Sequence, residues 1–360
     1  IEEKYENYLL GFLNSCVVDV ILDAMNPTMH FQPGDIGRLP WRVNSDKENE
    51  IGTLVQQNID ISHKDWDSFE TSRDFQHHPL LRKAHTIAEA FDQWQAECDE
   101  RFNQLKDNEE ELNRIFLDIY GLQDELTPEV ENKDVTVRKA DLARDIRSFI
   151  SYAVGCMFGR YSLDEEGLIY AGGEWDNSRY KTFLPDDDNC IPITDEEYFL
   201  DDIVGLFVEF VKTVYGAETL EENLNFIANA LGNKGDTSRE VIRNYFLKDF
   251  YADHLKVYQK RPIYWLFNSG KQNGFKALIY MHRYDADTVG RVRTDYLHRA
   301  QKYVETAMQS AQYTIDNATS ASEKSKATKA VTKYTKQLAE MKIYDEAIAH
   351  IANKRIKIDL

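Results

Sequence analysis

Cysteine is scarce in this sequence, and its spacing excludes scaffolds that depend on it. The four cysteines among 360 residues lie far apart, and no two of them form a Cys-x-x-Cys pair. Without such a pair, neither a structural zinc site nor a disulfide framework is indicated. We expect reduced, buried thiols in a cytoplasmic protein at Cys16, Cys98, Cys156 and Cys190.

Long apolar runs are also missing. The most apolar stretch, YLLGFLNSCVVDVILDAM, is interrupted by Asn14, Asp19 and Asp23, and no signal peptide precedes it. The sequence therefore predicts a cytoplasmic protein without a membrane partner. Because the chain begins at Ile1 without a methionine and reaches a helical pattern almost at once, we also expect a fragment of a longer polypeptide, with processing of a shorter one as the alternative.

Basic residues are outnumbered by acidic ones, 43 to 62, and the net charge of -19 argues against a surface covered with phosphate contacts. The balance is uneven. From Ala286 to the C-terminus there are 13 basic and 9 acidic residues, a net charge of about +4, which leaves about -23 for the preceding part. A basic end on an acidic body permits DNA contact at one face, although a mixed charge run more often forms a solvated helix face.

Helical periodicity dominates the sequence. Apolar residues recur every three or four positions from Glu3 to Met25 and again from Leu80 to Leu122, where acidic residues crowd the opposite face. The second pattern is typical of a coiled coil or a helical hairpin. We expect Asn26 to end the first helix, because a residue that precedes proline avoids helical geometry.

A β-hairpin is predicted where two aromatic and β-branched runs surround a glycine-rich turn, in PIYWLFN-SGKQNG-FKALIYMHRY. Helical patterns follow from Thr288 to Asp316 and from Ser322 to about Asn353, and two helices joined in this way tend to pack as an antiparallel pair. The predicted fold class is mainly α (α+β), with bundled or coiled-coil-like helices and a small β-hairpin.

Changes in composition divide the chain into six predicted segments. They are an N-terminal segment at 1–41, an ordered connector at 42–79, a long helical region at 80–160, loops and short strands at 161–200, helices with the β-hairpin at 201–285, and a basic C-terminal helical pair at 286–360. The Gly, Pro and Asp clusters between Gly159 and Pro192 mark the change from helix to loop.

The sequence NPTM at residues 26–29 is similar to part of the Asn-Pro-Pro-aromatic loop with which adenine-specific DNA methyltransferases hold the amine of a flipped base. Thr28 and Met29 stand where that loop has its second proline and its stacking aromatic residue. We therefore interpret the stretch as a helix terminator and not as a catalytic loop.

No catalytic or metal-binding set of residues can be assembled from the sequence. The acidic stretch LPDDDNC has no Glu-x-Lys or Asp-x-Lys of nuclease type nearby, so a solvated acidic turn is the favoured interpretation. His77 and His78 are adjacent, point in different directions and have no third ligand at metal-binding spacing.

The stretch HRYDADTVGRVRTDYLHRAQK is the candidate DNA-binding segment, because cationic side chains and tyrosines are interleaved there. On a regular helix that begins near Asp287, several of the cations share one face, which would suit phosphates or base edges. The alternative is that Asp295 forms ordinary intrahelical ion pairs with Arg291 and Arg299. The candidate DNA-binding residues are His282, Arg283, Arg291, Arg293, Arg299 and Lys302.

Five long stretches point to one protein family. They are LLGFLNSCVVDVILDAMNPTMHFQPGDIGRLP, ISHKDWDSFETSRDFQHHPL, LKDNEEELNRIFLDIYGLQDELTPEV, ISYAVGCMFGRYSLDEEGLIYAGGEW and RPIYWLFNSGKQNGFKALIYMHRYDADTVGRVRTDYL. The first resembles the segment after the target-recognition region of type IIG restriction enzymes. The others, in the same order, resemble the C-terminal part of the PglX family, the adenine-specific DNA methyltransferases of BREX (bacteriophage exclusion) defence systems.

The resemblance implies a parent enzyme that transfers a methyl group from S-adenosylmethionine to adenine N6 in double-stranded DNA and supports phage restriction with partner proteins. It also implies that residues 1–41 end the target-recognition or spacer region. In such enzymes the glycine-rich cofactor loop and the Asn-Pro-Pro-aromatic loop lie in an upstream Rossmann-like domain, and neither occurs in these 360 residues.

Two roles remain open for a chain without cofactor, metal or catalytic motifs. The first is a DNA-positioning region of the parent methyltransferase. The second is a protein-interaction scaffold that docks other defence components, with the acidic helix predicted at residues 80–122 as its docking surface.

Overall fold

A computed structural model describes residues 3–26 and 31–357 of the chain, which forms two compact units. Unit 1 comprises residues 1–72 and 92–141, and unit 2 comprises residues 73–91 and 142–360. Pro27, Thr28 and Met29 lie outside the described residues, but the helix before them ends at Met25, as predicted.

The structure is mainly α with a small antiparallel sheet, which confirms the predicted fold class. Unit 1 contains α1 (Glu6–Leu13), α2 (Cys16–Met25), α3 (Pro33–Ile36), α4 (Glu48–Trp66) and most of α5 (Ile87–Tyr120). Unit 2 contains α6 (Leu142–Met157), β1 (Ile191–Pro192), α7 (Ile203–Tyr215), α8 (Leu220–Leu231), α9 (Ser238–Lys248), α10 (Phe250–Val257), β2 (Tyr264–Asn268), β3 (Lys276–Tyr280), α11 (Thr288–Arg291), α12 (His298–Asn317) and α13 (Ala321–Lys354).

Helices α1, α2, α4 and α5 supply the main apolar core of unit 1. The periodicity read in residues 80–122 is confirmed by α5, where Trp94, Cys98 and Phe102 are buried at successive turns. Gly11 allows α1 to approach α4, because a Cβ atom at this position would lie 2.8 Å from Val55 Cγ2. A larger residue there would push the two helices apart.

The prediction of one helix over residues 3–25 is wrong, because the chain breaks it into α1 and α2. Asn14 Nδ2 donates a hydrogen bond to the carbonyl oxygen of Leu10 at 2.8 Å, and Ser15 Oγ donates to that of Phe12 at 2.7 Å. Side chains of this type compete with helical hydrogen bonds. In the described part of the chain no single helix is long and apolar enough to cross a membrane, and only α1 and α2 together, bent by 61°, meet that test by length and composition.

Residues 42–79, which we expected to be a connector, contain the 19-residue helix α4. Ile51 and Val55 lie one turn apart on its buried side. Leu54 and Ile59 are partly buried against the same core, and most of the other residues of the helix are polar. Such a helix depends on packing against its neighbours more than on its own periodicity, which explains why the sequence signal was weak.

Unit 2 contains a three-stranded antiparallel sheet in the order β1-β3-β2. The predicted hairpin is confirmed, since β2 and β3 pair with Tyr264 opposite Tyr280 and Leu266 opposite Leu278. Strand β1 pairs with the other edge of β3, where Ile191 faces Leu278. Every residue of β3 is buried, so the sheet forms part of the core of unit 2.

The last two helices fold back on each other, as the sequence predicted. Thr335 Oγ1 of α13 lies 3.6 Å from Met308 Sδ of α12, and Arg355 after α13 pairs with Asp287 before α11, so the two helices run antiparallel. Met341 of α13 is fully buried in the apolar cluster that also contains residues of β3. The helical pair is therefore anchored to the sheet.

Charge is distributed very unequally between the units. Unit 1 has 28 acidic and 11 basic residues, a net charge of -17, whereas unit 2 has 34 acidic and 32 basic residues, a net charge of -2. Nearly all of the negative charge of the chain thus belongs to unit 1. The electrostatic argument against nucleic-acid contact applies to that unit and not to unit 2.

Candidate nucleic-acid interface

The candidate DNA-binding segment is not a regular helix. Helix α11 continues into a π-helical segment at Val292–Leu297, which then becomes α12. A π-helix has more residues per turn than an α-helix, so it rotates the side chains that follow it relative to those that precede it. The face predicted from a regular helical period is therefore not formed.

Arg283 is half-buried and holds a loop. Its guanidinium lies 4.3 Å from the ring centroid of Trp175 and donates hydrogen bonds to the carbonyl oxygens of Asp186 and Asp187 at 2.7 and 3.0 Å. Burial lowers the pKa of the neighbouring His282, so this imidazole is neutral at pH 7. Neither residue offers a cation that is readily available to DNA.

Arg291 and Arg293 are each engaged by a carboxylate. Arg291 Nη2 donates to Asp285 Oδ2 at 2.9 Å, and Arg293 donates to both oxygens of Asp345 on α13 at 2.7 and 3.3 Å. The ion pairs that we considered for Asp295 are not formed among the residues that the structure describes. The acidic partners of both arginines are therefore not the one considered from the sequence. Arg291 Nη2 also lies 3.4 Å from Thr288 Oγ1, whereas the buried Arg291 Nε has no hydrogen-bond partner among the described residues.

Arg299 and Lys302 are the candidate residues whose cationic side chains are exposed. They lie one turn apart on α12, and Arg299 Nη2 is 3.4 Å from Tyr303 Oη. The adjacent His298 is instead held by Asp345, with 2.8 Å between Nε2 and Oδ1. Of the six predicted residues, these two have the exposure that phosphate contact requires, and their contact with DNA stays a prediction.

Sequence reasoning missed a row of lysines on α13. Lys326, Lys329, Lys333 and Lys336 follow a spacing of three, four and three residues, which places them on one side of the helix, and all four are exposed. We refer to these four residues as the lysine stripe. The spacing of these lysines is visible in the sequence. It was overlooked because many other residues of this helix are also polar and exposed.

A loop before α7 joins the lysine stripe to α12. Lys333 Nζ lies 2.6 Å from Asp195 Oδ2, and Tyr198 of the same loop stacks on Tyr303 with 5.7 Å between the ring centroids. Because Tyr303 also contacts Arg299, a continuous series of contacts connects the two helices. The members of the stripe that form no salt bridge among the described residues are Lys326, Lys329 and Lys336.

The acidic LPDDDNC stretch folds as a hydrogen-bonded turn. Asp186 and Asp188 both accept hydrogen bonds from the backbone N–H of Cys190 at 3.0 Å. Tyr296 Oη lies 2.8 Å from Asp188 Oδ2 and 2.6 Å from Asp201 Oδ2. Within residues 3–26 and 31–357, no group of three or more His, Cys, Asp or Glu side chains is arranged to hold a metal ion.

His78 is a core residue. Its Nε2 lies 3.2 Å from Ser148 Oγ, and its Nδ1 accepts a hydrogen bond from the backbone N–H of Leu80 at 3.2 Å. Burial lowers the pKa of His78 to about 3, so the ring is neutral at pH 7. Both ring nitrogens of His78 therefore have polar partners inside unit 2.

Comparison with known proteins identifies relatives over nearly the whole chain. An alignment of 362 positions that covers 98% of the chain gives 50% identity to adenine-specific methyltransferase PglX of Lacticaseibacillus casei (strain Zhang). An alignment of 383 positions, which also covers 98% of the chain, gives 35% identity to adenine-specific methyltransferase BrxX of Escherichia coli O9:H4 (strain HS). The chain is a relative of the PglX and BrxX methyltransferases. The resemblance to the PglX family inferred from the sequence is thereby confirmed.

The similarity covers only part of each relative. The chain spans about 30% of the length of PglX and 31% of that of BrxX. No protein-family model matches the chain. Most of each relative therefore lies outside the region of similarity.

Proposed function

We propose that this chain positions double-stranded DNA for an adenine-specific (N6) DNA methyltransferase of a phage-defence system, with α12 and α13 as the phosphate-contact face. The similarity to PglX and BrxX supports the methyltransferase assignment. The lysine stripe is the observation that supports the contact face. It is about 15 Å long at 1.5 Å per helical residue, a length over which one strand of B-DNA presents about four phosphates.

Lysines in this arrangement suit the DNA backbone better than the base edges. An ammonium on a flexible stem is a compact charge without the planar fork that reads guanine, and it follows a phosphate as the duplex moves. Phosphate contacts fix the orientation of a protein on the duplex but carry no sequence information. In this proposal the stripe aligns the duplex, and other residues of a parent enzyme read the recognised sequence.

The methyl donor would be bound by other residues of the parent enzyme. The glycine-rich loop for S-adenosylmethionine and the Asn-Pro-Pro-aromatic loop are both missing from the 360 residues. The proposal therefore assigns neither cofactor binding nor the chemical step to this chain. Its contribution would be to hold the duplex while the target adenine is methylated elsewhere.

The test is a fluorescence-anisotropy titration of the chain with a labelled mixed-sequence duplex at two salt concentrations. Reversal of Lys326, Lys329 and Lys336 to Glu should weaken binding more than tenfold and reduce its salt dependence.

The matched control reverses three exposed lysines on other elements of unit 2, at Lys234, Lys256 and Lys260. It should bind nearly as the unmodified chain does. Unchanged binding in the stripe variant, or an equal loss in both variants, would contradict the proposal.

Arg291 and Arg293 are unsuitable for such a test. Charge reversal would set a glutamate against Asp285 or Asp345 and separate α11 and α12 from their partners, so that lost binding would report lost packing. Reversal of the exposed Arg299 and Lys302 is the appropriate way to extend the test to α12.

A scaffold role is a second candidate, and the charge of unit 1 favours it. A unit with 28 acidic and 11 basic residues repels DNA and attracts basic protein surfaces. Neutralisation of exposed carboxylates on α5, such as Glu100 and Asp107, should then reduce co-purification with other defence components and leave DNA affinity unchanged. Unaltered co-purification would remove the support for this role.

A further inference from the structure

A cavity of about 320 Å³ opens between α1, α4 and α5 in unit 1. Aliphatic side chains form much of its wall: Leu10, Val55, Ile59, Leu105 and Leu112. Asn14, Asn58, Ser62 and His63 add polar groups to the lining. Pockets for small ligands begin at about 300 Å³, so this cavity has room for one slender aliphatic group.

Glu109 supplies the acidic group of this lining. In the described part of the chain its carboxylate forms no hydrogen bond or ion pair, although the residue is half-buried. Burial and the charge of Asp134 raise the pKa of Glu109 to about 7. A carboxylate held against apolar walls without a partner is stabilised by a cation that brings its own apolar surface into the cavity.

We propose that this cavity binds the side chain of a lysine from a basic partner protein, with its aliphatic stem against Leu105 and Leu112 and its ammonium on Glu109. The inference rests on the scaffold role suggested for unit 1 and names the group that is recognised. Lysine fits better than arginine, because its four-carbon stem is slender and its charge is compact, whereas a guanidinium is planar and favours two parallel acceptors.

The charge of unit 1 determines the source of that lysine. A net charge of -17 on 122 residues attracts a basic protein surface over a distance greater than the cavity itself. The cavity then gives such an encounter a defined anchor, since one deep side chain contributes more to affinity than many exposed contacts. The partner is thus a protein with an exposed lysine within a basic patch.

The experiment is a methyl NMR titration of the 360-residue chain with N-acetyl-lysine N-methylamide. The equivalent norleucine compound has a similar aliphatic stem without the ammonium. The lysine probe should shift the methyl resonances of Val55, Ile59 and Leu105 in a saturable way, with an affinity at least tenfold higher than that of the norleucine probe.

Two variants complete the test. Glu109→Gln should weaken binding of the lysine probe at least tenfold and leave the norleucine probe unaffected. Asp92→Asn removes the same charge from an exposed position on the same helix and should bind the lysine probe as the unmodified chain does. Equal affinity for the two probes, or an undiminished affinity in Glu109→Gln, would overturn the site.

A third probe separates a protein side chain from a free amine. If spermidine binds more than tenfold tighter than the lysine probe and loses this advantage in Glu109→Gln, the occupant is a free polyamine and the assignment to a partner protein is overturned. Loss of the lysine site would leave the co-purification test of the acidic surface of α5 unaffected. The lysine site and the scaffold role of unit 1 can therefore be disproved separately.

Discussion

The two units of this chain differ most in charge. Unit 1 has a net charge of -17 over 122 residues, and unit 2 has -2 over 238 residues, so the total of -19 describes neither unit. A near-neutral unit with lysines on one helix face can approach a phosphate backbone, whereas a strongly negative unit is repelled by it. Net charge can therefore be used to exclude nucleic-acid binding by a compact unit, but not by a whole chain.

One charge pair from each unit shows how burial changes the contribution of an ion pair to stability. In unit 2, the guanidinium of Arg243 forms two hydrogen bonds of 2.8 Å with Asp202, whose side chain is completely buried. In unit 1, the side chains of the Lys47–Glu50 pair are 40% and 44% exposed. A buried pair is costly to break and an exposed pair contributes little, so loss of the Asp202 carboxylate and loss of the Glu50 carboxylate should have different consequences.

The largest effect should come from breaking the buried pair. Asp202→Ala leaves the Arg243 charge without its carboxylate and also removes the cap that accepts a hydrogen bond from the N–H of Val204. We expect a loss of about 3–5 kcal/mol in the free energy of unfolding, measured by urea denaturation. As the matched change in unit 1, Glu50→Ala should cost less than about 1 kcal/mol. Similar losses of unfolding free energy in both variants would remove this distinction between the buried and the exposed pair.

The next effect concerns the lysine stripe. Neutralisation of Lys326, Lys329 and Lys336 to Ala should weaken DNA binding by roughly tenfold or more at low salt. It should also lower the slope of log K against log salt by nearly 3, since each lost phosphate contact removes about 0.9. Anisotropy titrations across a salt series measure both quantities. An unchanged slope would mean that the stripe does not release counterions from DNA.

A smaller effect should follow from Glu109. Its pKa is raised to about 7, so the folded state keeps this proton over a range in which the unfolded state has lost it. The stability contribution of the group therefore becomes unfavourable as pH rises from about 4.5 to 7. Glu109→Gln should stabilise the chain at pH 8 by about 1 kcal/mol, after allowance for solvent screening, with less gain towards pH 5. Thermal unfolding of both proteins at pH 5 and pH 8 measures this gain in stability. A gain that does not depend on pH would refute the raised pKa of Glu109.

The smallest effect tests the acidic unit. Neutralisation of three exposed carboxylates of unit 1, at Glu100, Asp107 and Glu129, should change the DNA affinity by no more than about twofold. The reason is that three exposed, salt-screened charges are a small part of the net charge of -17 on this unit. Anisotropy titrations would show this, and an increase of tenfold would indicate that unit 1 opposes DNA binding directly.

Local patterns predicted much of the fold. The buried residues Trp94, Cys98 and Phe102 recur at helical spacing in α5, and the paired strands around residues 269–275 follow the turn chemistry of the glycine-rich segment. The break between α1 and α2 at Asn14 and Ser15 was missed. Each of these side chains can hydrogen-bond to water or to a nearby carbonyl oxygen, and the packed core decides which partner it has. The π-helical segment was missed for a similar reason, since no residue pattern marks it.

The candidate interface was less predictable than the fold. The cationic segment lies in unit 2. A helical wheel could not show that Arg293 pairs with Asp345, 52 residues away, or that Arg283 donates to Asp186, 97 residues away. The lysine stripe had a readable spacing. Its significance depended on knowing that α13 is one long helix with that side exposed.

The sequence by itself determined the mainly helical fold class, the hairpin and the resemblance to the PglX and BrxX methyltransferases, because periodicity, turn residues and stretches of characteristic sequence are local properties. The tertiary structure alone decided which cations are satisfied and which are exposed. It also decided that the negative charge is gathered in unit 1, which is assembled from two separate parts of the chain. Both depend on distances in space between residues far apart in sequence, and only packing fixes those distances.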